Sequence, residues 1–361
     1  MSDNTDLKPL RVRFVLPPAP LRLGGLDMAI DGLAGALSES VSNDRVQVVV
    51  AEEDCDLEDD IDLVHIHGLW RPRSRAIAAA ATARKIPYLV SPHGMLEPWA
   101  RNNKWLKKTI YWGLFEGALM RGAAAILTTS EMESRHIAED QPTLKSLLHD
   151  IPLGIDPPPD SGSETQANAR QALDISVDET VLLYLSRVDR KKGLDLLVDA
   201  LAIAPSGVDR LIVVGDGDEA FKAKIEAQIR IYSSAPDYPE IDWVGAVWGD
   251  EKWRYLVASD AFCLPTYSEN FGFAVLEALL VGVPTITTTE TPWAAEEGLD
   301  GLTICEPETE SLVEGLGACG GLRGVWSPPQ RARLSNWATD RFLWANLAGR
   351  YETFYREIAA R

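Results

Sequence analysis

The 361-residue chain is poor in the residues that build metal and disulfide sites. It has four cysteines, Cys55, Cys263, Cys305 and Cys319, and no Cys-x-x-Cys spacing. Neither a zinc nor a disulfide pattern follows, and Cys263 and Cys305 lie in apolar, strand-like runs, so a reducing, cytosolic compartment is expected. Histidine is also scarce, with five in the chain. His65 and His67, in DLVHIHGLW, have no carboxylate or cysteine at metal-ligand spacing. There is no apolar run of about 18 residues, so nothing is expected to span a membrane. The opening MSDNTDLKPL lacks the apolar stretch of a signal peptide. Basic residues are few: 35 Lys and Arg stand against 54 Asp and Glu, a net charge of −19. That balance excludes bulk nucleic-acid binding, because neutralising phosphates needs a basic surface. Solenoid-like repeats and extended low-complexity tracts are absent too.

What is present is a soluble globular composition, 46% hydrophobic and 25% charged, in a chain long enough for two domains. Short apolar runs alternate with helix-period segments. The first set of runs is RVRFVL (11–16), VQVVVA (46–51), DLVHIH (62–67), PYLVS (87–91) and AAILTT (124–129). A Pro-, Ser- and Gly-rich stretch, DPPPDSGSET (156–165), reads as a linker or long surface loop. The second set is VLLYLS (181–186), RLIVVG (210–215), IDWVG (241–245), AFCLP (261–265) and PTITT (284–288). Strand–helix alternation with near-continuous Val, Ile and Leu predicts α/β architecture: two doubly wound, Rossmann-like parallel-sheet domains. Ligands in such sheets bind beyond the carboxyl ends of the strands, so the site is expected in the cleft between the domains. A long amphipathic helix is predicted at the end, over 342–360.

Five places fall at predicted strand ends. Gly24 and Gly25, in LRLGGLD, allow a backbone to approach a phosphate at a helix start, or simply form a tight turn. His93-Gly94, in SPHGMLEPW, follow a strand directly, and position and glycine together favour a functional histidine over a loop-capping one. His65 reads as structural, and His67 as a further candidate for the cleft. Arg187 and Lys192, in LSRVDRKKG, suit a phosphate, although most such charge runs are merely solvated. Gly215 and Gly217, in VVGDGDE, form a glycine-rich turn that is not Gly-x-Gly-x-x-Gly. In YSENFGFAVLEALLVG, Glu269 and Glu277 bracket a turn and the first part of a helix, with Phe271-Gly272-Phe273 between them. Carboxylates accept hydrogen bonds and suit hydroxyl-rich ligands. A helix-start preference for acid would account for Glu269 but leaves Glu277, inside an apolar run, unexplained. Together these residues describe a nucleoside diphosphate sugar: cations and glycine amides for the diphosphate, carboxylates for hydroxyls, and His93 near the reacting centre.

The same motifs carry a resemblance over nearly the whole chain to about residue 297. The chain resembles the GT-B glycosyltransferases of the retaining family four, the group 1 glycosyltransferases. Its most specific element is E-x7-E, Glu269 to Glu277, followed by R-x4-K-G, Arg187 to Lys192-Gly193. The resemblance implies that Arg187 and Lys192 bind the donor diphosphate. It also implies that Glu269 holds sugar hydroxyls, Glu277 the ribose, and amides near Asn270, Phe271 and Gly272 the phosphate or sugar. His93 would contact the donor sugar near the reacting centre, and Gly245 would lie close to the base. The family works with retention and without a bound metal, so no metal or other cofactor is expected, and the DDID at 59–62 reads as a surface loop. Residues 1–158 would form the acceptor-side domain, and 159–341 the nucleotide-sugar domain. The helix over 342–361 would pack back onto the first. Ser186 departs from the Gly common in relatives. EGLDGLTICEP replaces the usual Gly- and Cys-rich stretch, while Thr291-Pro292-Trp293 fits.

HGMLEPW followed by a Trp- and Lys-rich helix resembles members that build exopolysaccharide or O-antigen on a lipid-linked acceptor at the cytoplasmic membrane face. The acceptor is accordingly expected to be a saccharide or a lipid-linked one. WARNNKWLKKTIYW (99–112) is the local exception to the acidic balance. Lys104, Lys107 and Lys108 would share one helix face, and Trp105 and Trp112 another, a pattern suited to an anionic membrane interface or to an anionic acceptor. Two other readings differ in class: a nucleotide-sugar epimerase or hydrolase on the same fold, and a non-catalytic subunit of a polysaccharide assembly complex.

Overall fold

Strands that are apolar at nearly every position have no solvent face and need cover on both sides of their sheet. A computed structural model describes residues 9–17, 24–39, 46–52, 57–58, 60–102, 105–159, 164–203, 207–235, 237–318 and 326–361, and the strands lie in two such sheets. The chain divides into two units: Met1–Asp156 with Arg341–Arg361, and Pro157–Asp340.

The first unit carries β1 (Leu10–Leu16), β2 (Val46–Glu52), β3 (Leu63–His67), β4 (Tyr88–Ser91), β5 (Ala125–Thr128) and β6 (Leu148–Asp150). All pair in parallel, in the order β2-β1-β3-β4-β5-β6. Side chains alternate between the two faces. Val15, Val64 and Ile66 join a core with Ile77, Ala78 and Ala81 of the helix Pro72–Ala83. One step along, Phe14 and His65 meet Tyr355 of the helix Trp344–Ala359. Trp344, at the start of that helix, occupies room that only glycine leaves. A Cβ on Gly32 or Gly154 would stand 2.3 or 2.5 Å from the indole.

The second unit carries β7 (Val181–Leu185), β8 (Arg210–Val214), β9 (Glu240–Gly245), β10 (Ala261–Leu264), β11 (Thr285–Thr288) and β12 (Leu302–Cys305). They are again parallel, in the order β12-β11-β10-β7-β8-β9. The threonines of β11 are buried, and their hydroxyls donate to backbone carbonyls, Thr287 to Leu264 at 3.0 Å and Thr288 to Thr266 at 2.6 Å.

Two expectations need correction. Among the described residues each sheet has six strands where five apolar runs are legible. The extra strands, β6 (LHD) and β12 (LTIC), are edges with a partner on one side only, so they need less apolar sequence. The Trp- and Lys-rich helix expected after HGMLEPW is present as a continuous run, Trp105–Tyr111, Trp112–Glu116 and Gly117–Gly122, the middle segment being a π-helical turn. Lys107 and Lys108 do not share a solvent stripe. Lys108 donates to the Ala100 carbonyl and lies 5.7 Å from the Trp70 ring, and Lys104 falls outside the described residues. Trp112 packs into its own unit, its indole N–H donating to Gln141 at 3.1 Å. Trp105, Leu106 and Ile110 are exposed instead. In the DDID loop Asp60 is exposed and paired with Arg11, while Asp59 lies outside the described residues, as do Cys55, Cys319 and residues 160–163. No helix among the described residues is long and apolar enough to cross a membrane.

Candidate active site

In an open parallel sheet the ligand crevice lies beyond the carboxyl ends of the strands, where the strand order reverses. In the second unit that point is between β7 and β10. The chain leaving β7 makes a one-turn helix, Arg190–Lys192, and the chain leaving β10 folds back onto it. The Tyr267 N–H and the Thr266 hydroxyl both donate to the Lys191 carbonyl, at 2.8 and 2.9 Å. Gly193 follows with φ +69°, and a Cβ there would stand 1.9 Å from the Pro265 carbonyl oxygen. This close approach brings the Lys192 ammonium onto the Glu269 carboxylate, with both side chains largely buried. Burial alone would raise Glu269. Lys192, with Lys191 and Arg187, outweighs it and holds the carboxyl below its usual range. Arg187 is different: its side chain is 62% exposed and 3.6 Å from Asp189.

Glu277 is the fifth residue of the helix Phe273–Leu280 and is 5% exposed. It accepts from the Lys252 ammonium at 2.6 Å. Burial pushes its carboxyl up, and Lys252 only partly offsets this. Each carboxylate of the motif therefore has its own ammonium. Between them, Gly272 (φ +81°) turns the chain into the helix, against Trp293, whose indole donates to the Phe271 carbonyl at 2.7 Å. No side chain caps that helix start, where Asn270, Phe271 and Gly272 lead in. The positive end of the helix dipole is thus placed beside Glu269, a geometry suited to an anion.

The glycine turns have packing reasons. A Cβ on Gly215 would stand 1.8 Å from the Ser186 oxygen, and one on Gly217 would stand 2.3 Å from the Val188 oxygen. Both let the loop after β8 lie against the loop that carries Arg187. Gly245 (φ +85°) accepts from the Gly215 N–H at 2.7 Å and has open space where a Cβ would project. Gly24 and Gly25 open the helix Gly24–Glu39; residues 21–23 before them are outside the described set.

In the first unit the strand order reverses between β1 and β3. His67 ends β3, and its Nδ1 lies 3.0 Å from His93 Nε2, the two rings stacked 5.3 Å apart. His65 sits behind, bonded to Tyr355 (2.9 Å) and Ser91 (2.8 Å). Burial lowers all three imidazoles, His93 to about 4 and His65 to about 3. They are therefore neutral near pH 7, and His67 Nε2 and His93 Nδ1 have no hydrogen-bond partner among the described residues. A neutral pair of this kind donates at one free nitrogen and accepts at the other, which suits a hydroxyl.

His93 holds φ +50°, followed by Gly94 at +73°. Glu133 sustains this turn. It is 1% exposed, accepts from the Gly94 N–H at 2.7 Å, and takes the Thr129 N–H and hydroxyl at 2.9 and 3.1 Å. Burial pushes its carboxyl up to about 7.

Two family descriptions match this chain: Glycosyl transferase 4-like domain over residues 4–146, and Glycosyl transferases group 1 over residues 165–317. The chain belongs to the group 1 glycosyltransferases. TuaC of Bacillus subtilis (strain 168), named for teichuronic acid biosynthesis, is 27% identical over 229 residues, 63% of this chain and 53% of its own length. D-inositol 3-phosphate glycosyltransferase of Rhodococcus jostii (strain RHA1) is 30% identical over 154 residues, 42% of this chain and 32% of its own. The chain thus spans about a third to a half of the length of these curated relatives. Anabaena Alr3699/HepE in complex with UDP-glucose superposes with a TM-score of 0.69 at 18% identity, over 96% of this chain and 100% of that one. Sucrose-phosphate synthase from Thermosynechococcus elongatus gives 0.71 at 18% identity, over 98% and 100%. These two likenesses are of fold, and the fold is GT-B.

Within this group 1 glycosyltransferase, Lys252 and Glu133 are the residues that sequence reasoning missed. A carboxylate in an apolar run signals that a cation must reach it, but nothing local identifies Lys252. For Glu133 the available signal was weaker still, an acid in the first turn of a helix, which reads as ordinary capping.

Proposed function

We propose that the protein is a retaining hexosyltransferase that moves a sugar from a nucleoside diphosphate sugar to a saccharide or lipid-linked acceptor in polysaccharide biosynthesis. The observation that carries this reading is the meeting of Lys192 and Glu269 at the β7/β10 reversal, beside an uncapped helix start. Arg187 and Lys192 stabilise the leaving diphosphate, Glu269 takes sugar hydroxyls and Glu277 the ribose, and His93 stands near the reacting carbon. Two cations supply the charge that a metal would otherwise supply, so EDTA leaves turnover unchanged. A thermal-shift series with UDP-, GDP- and ADP-sugars tests the donor, since a ligand of the folded state raises its melting temperature. UDP-glucose is the first choice, because Alr3699/HepE holds it in its solved complex. A series in which no nucleotide sugar shifts the melting temperature overturns the reading. Product analysis with and without acceptor separates transfer from epimerisation or hydrolysis.

A reversible attachment to anionic membrane belongs to the same proposal. Supporting it, Trp105, Leu106 and Ile110 are about 60% exposed on one short helix, beside the exposed Lys107. Exposed large apolar residues next to a basic one suit an interface. The protein should sediment with anionic vesicles at low salt, and a Leu106→Ser, Lys107→Glu, Ile110→Ser variant should stay in the supernatant while still binding donor. Wild type that stays in the supernatant rules the attachment out.

A further inference from the structure

The first unit contains a cavity of about 580 Å³ that none of the donor-binding or catalytic roles above uses. This lies within the usual size range of ligand pockets, roughly 300–1,000 Å³. Its walls include three tryptophans, Trp70, Trp105 and Trp112, and its rim includes Arg101, Glu139 and Gln141. Trp70 and Trp112 stand with ring centroids 6.3 Å apart at 56°, so two indoles form a corner.

Three features mark the cavity as more than a packing fault. Trp70 holds φ +70°, a conformation that is an outlier for a bulky side chain and concentrates at functional sites. Its indole Nε1 is buried without a hydrogen-bond partner among the described residues, although that group is an obligatory donor. Trp105 leaves 59% of its surface exposed at the same cavity.

The charges on the wall decide the ligand class. Arg101 and Lys108 are balanced by Glu139 and Asp140, and Arg101 is paired with Asp140. A phosphate entering here would meet two carboxylates, whereas a neutral polyol would find both donors and acceptors. A pyranose has an apolar C–H face on each side of its ring and hydroxyls around its edge. Indole faces suit the first, and a mixed rim of guanidinium, carboxylate and amide suits the second.

The cavity also adjoins His93 along the chain. Leu96 and Pro98, three and five residues beyond His93, line it. The helix Glu131–Asp140 places Glu133 on the His93 turn and His136, Glu139 and Asp140 on the cavity. His136 is bonded to the buried Glu97, 2.5 Å away, which fixes the connecting segment.

We propose that this tryptophan-walled cavity binds a neutral pyranose ring of the acceptor saccharide. The assignment of that sugar as acceptor rests on the transferase reading; the binding itself does not. The test uses the full chain on a microarray of soluble bacterial surface oligosaccharides, with Trp105→Ala and Glu139→Ala variants, and a parallel UDP-glucose melting series. Trp105 is exposed, so its replacement leaves folding intact. At least one oligosaccharide should bind wild type, and Trp105→Ala should weaken it at least tenfold, with Glu139→Ala weakening it by less. The UDP-glucose shift should be the same in all three proteins. Saccharide retention equal in wild type and Trp105→Ala, or no retention of any oligosaccharide, overturns the proposal. Saccharide binding through Trp105 without any nucleotide-sugar shift keeps the site and removes the transferase reading. A nucleotide-sugar shift without saccharide binding does the reverse.

Discussion

The two units build the same kind of sheet and end their strands in opposite ways. At β3 and β4 the first unit gathers His65, His67 and His93, all held neutral by burial. At β7 and β10 the second gathers carboxylates and ammoniums in pairs, Lys192 with Glu269 and Lys252 with Glu277. Burial disfavours charge in both places. Burial dominates at the imidazoles, which give up their protons, whereas Glu269 has cations close enough to stay ionised. A buried group can therefore be polar without charge or charged with a partner, and the choice sets which ligand chemistry each unit suits.

The comparison breaks most severely at the backbone. Gly193→Ala and Gly215→Ala should each cost more than about 4 kcal/mol, because a Cβ would have to occupy a carbonyl position at a positive φ. Thermal unfolding measures this, and a variant melting within a few degrees of wild type refutes the close approach. Next in size, Lys252→Ala leaves Glu277 buried without its ammonium and should lose about 3–5 kcal/mol. The double change Lys252→Met with Glu277→Leu should restore much of it. His67→Phe, at similar burial, removes a hydrogen bond but strands no charge, and should cost only about 1–3 kcal/mol. Equal losses for the two single variants would erase the contrast between the units.

Function sharpens the contrast next. Arg187 is largely exposed, so Arg187→Ala should leave the melting temperature nearly unchanged while lowering turnover by about 10²–10³. Normal turnover would remove Arg187 from the reaction.

The last effect is in pH dependence. Glu133 titrates near 7 in the folded chain, above its unfolded value. Between those values the folded state holds a proton that the unfolded state has released, so this group's contribution to stability falls as pH rises from the usual carboxylate range to about 7, and is flat beyond. Glu133→Gln should flatten that part of the stability curve relative to wild type. Denaturant titrations at pH 5 and 7.5 give the two points needed, and parallel wild-type and variant curves would contradict the shift.

Much of the fold was legible. The runs RVRFVL, DLVHIH and VLLYLS are apolar because they lie inside a sheet covered on both faces, and they fall on β1, β3 and β7. The edge strands β6 and β12 were illegible for the same reason, since an edge need not be apolar throughout. The stripe drawn through Lys104, Lys107 and Lys108 assumed that side chains sharing a helix face all turn to solvent. Lys108 instead turns in, donating to the Ala100 carbonyl and lying 5.7 Å from the Trp70 ring, and periodicity does not contain such tertiary neighbours.

The sequence by itself determined the parallel α/β architecture and the strand-end positions of His93, Arg187, Lys192 and Glu269, because these follow from local periodicity and from residues next to one another. Only the tertiary structure decided the partners. Lys192 meets Glu269 across 77 residues, Lys252 meets Glu277 across 25, and His65 meets Tyr355 across 290. Such pairs depend on strand order and on backbones that only glycine lets approach, and a side chain's own neighbours in the chain carry no record of either.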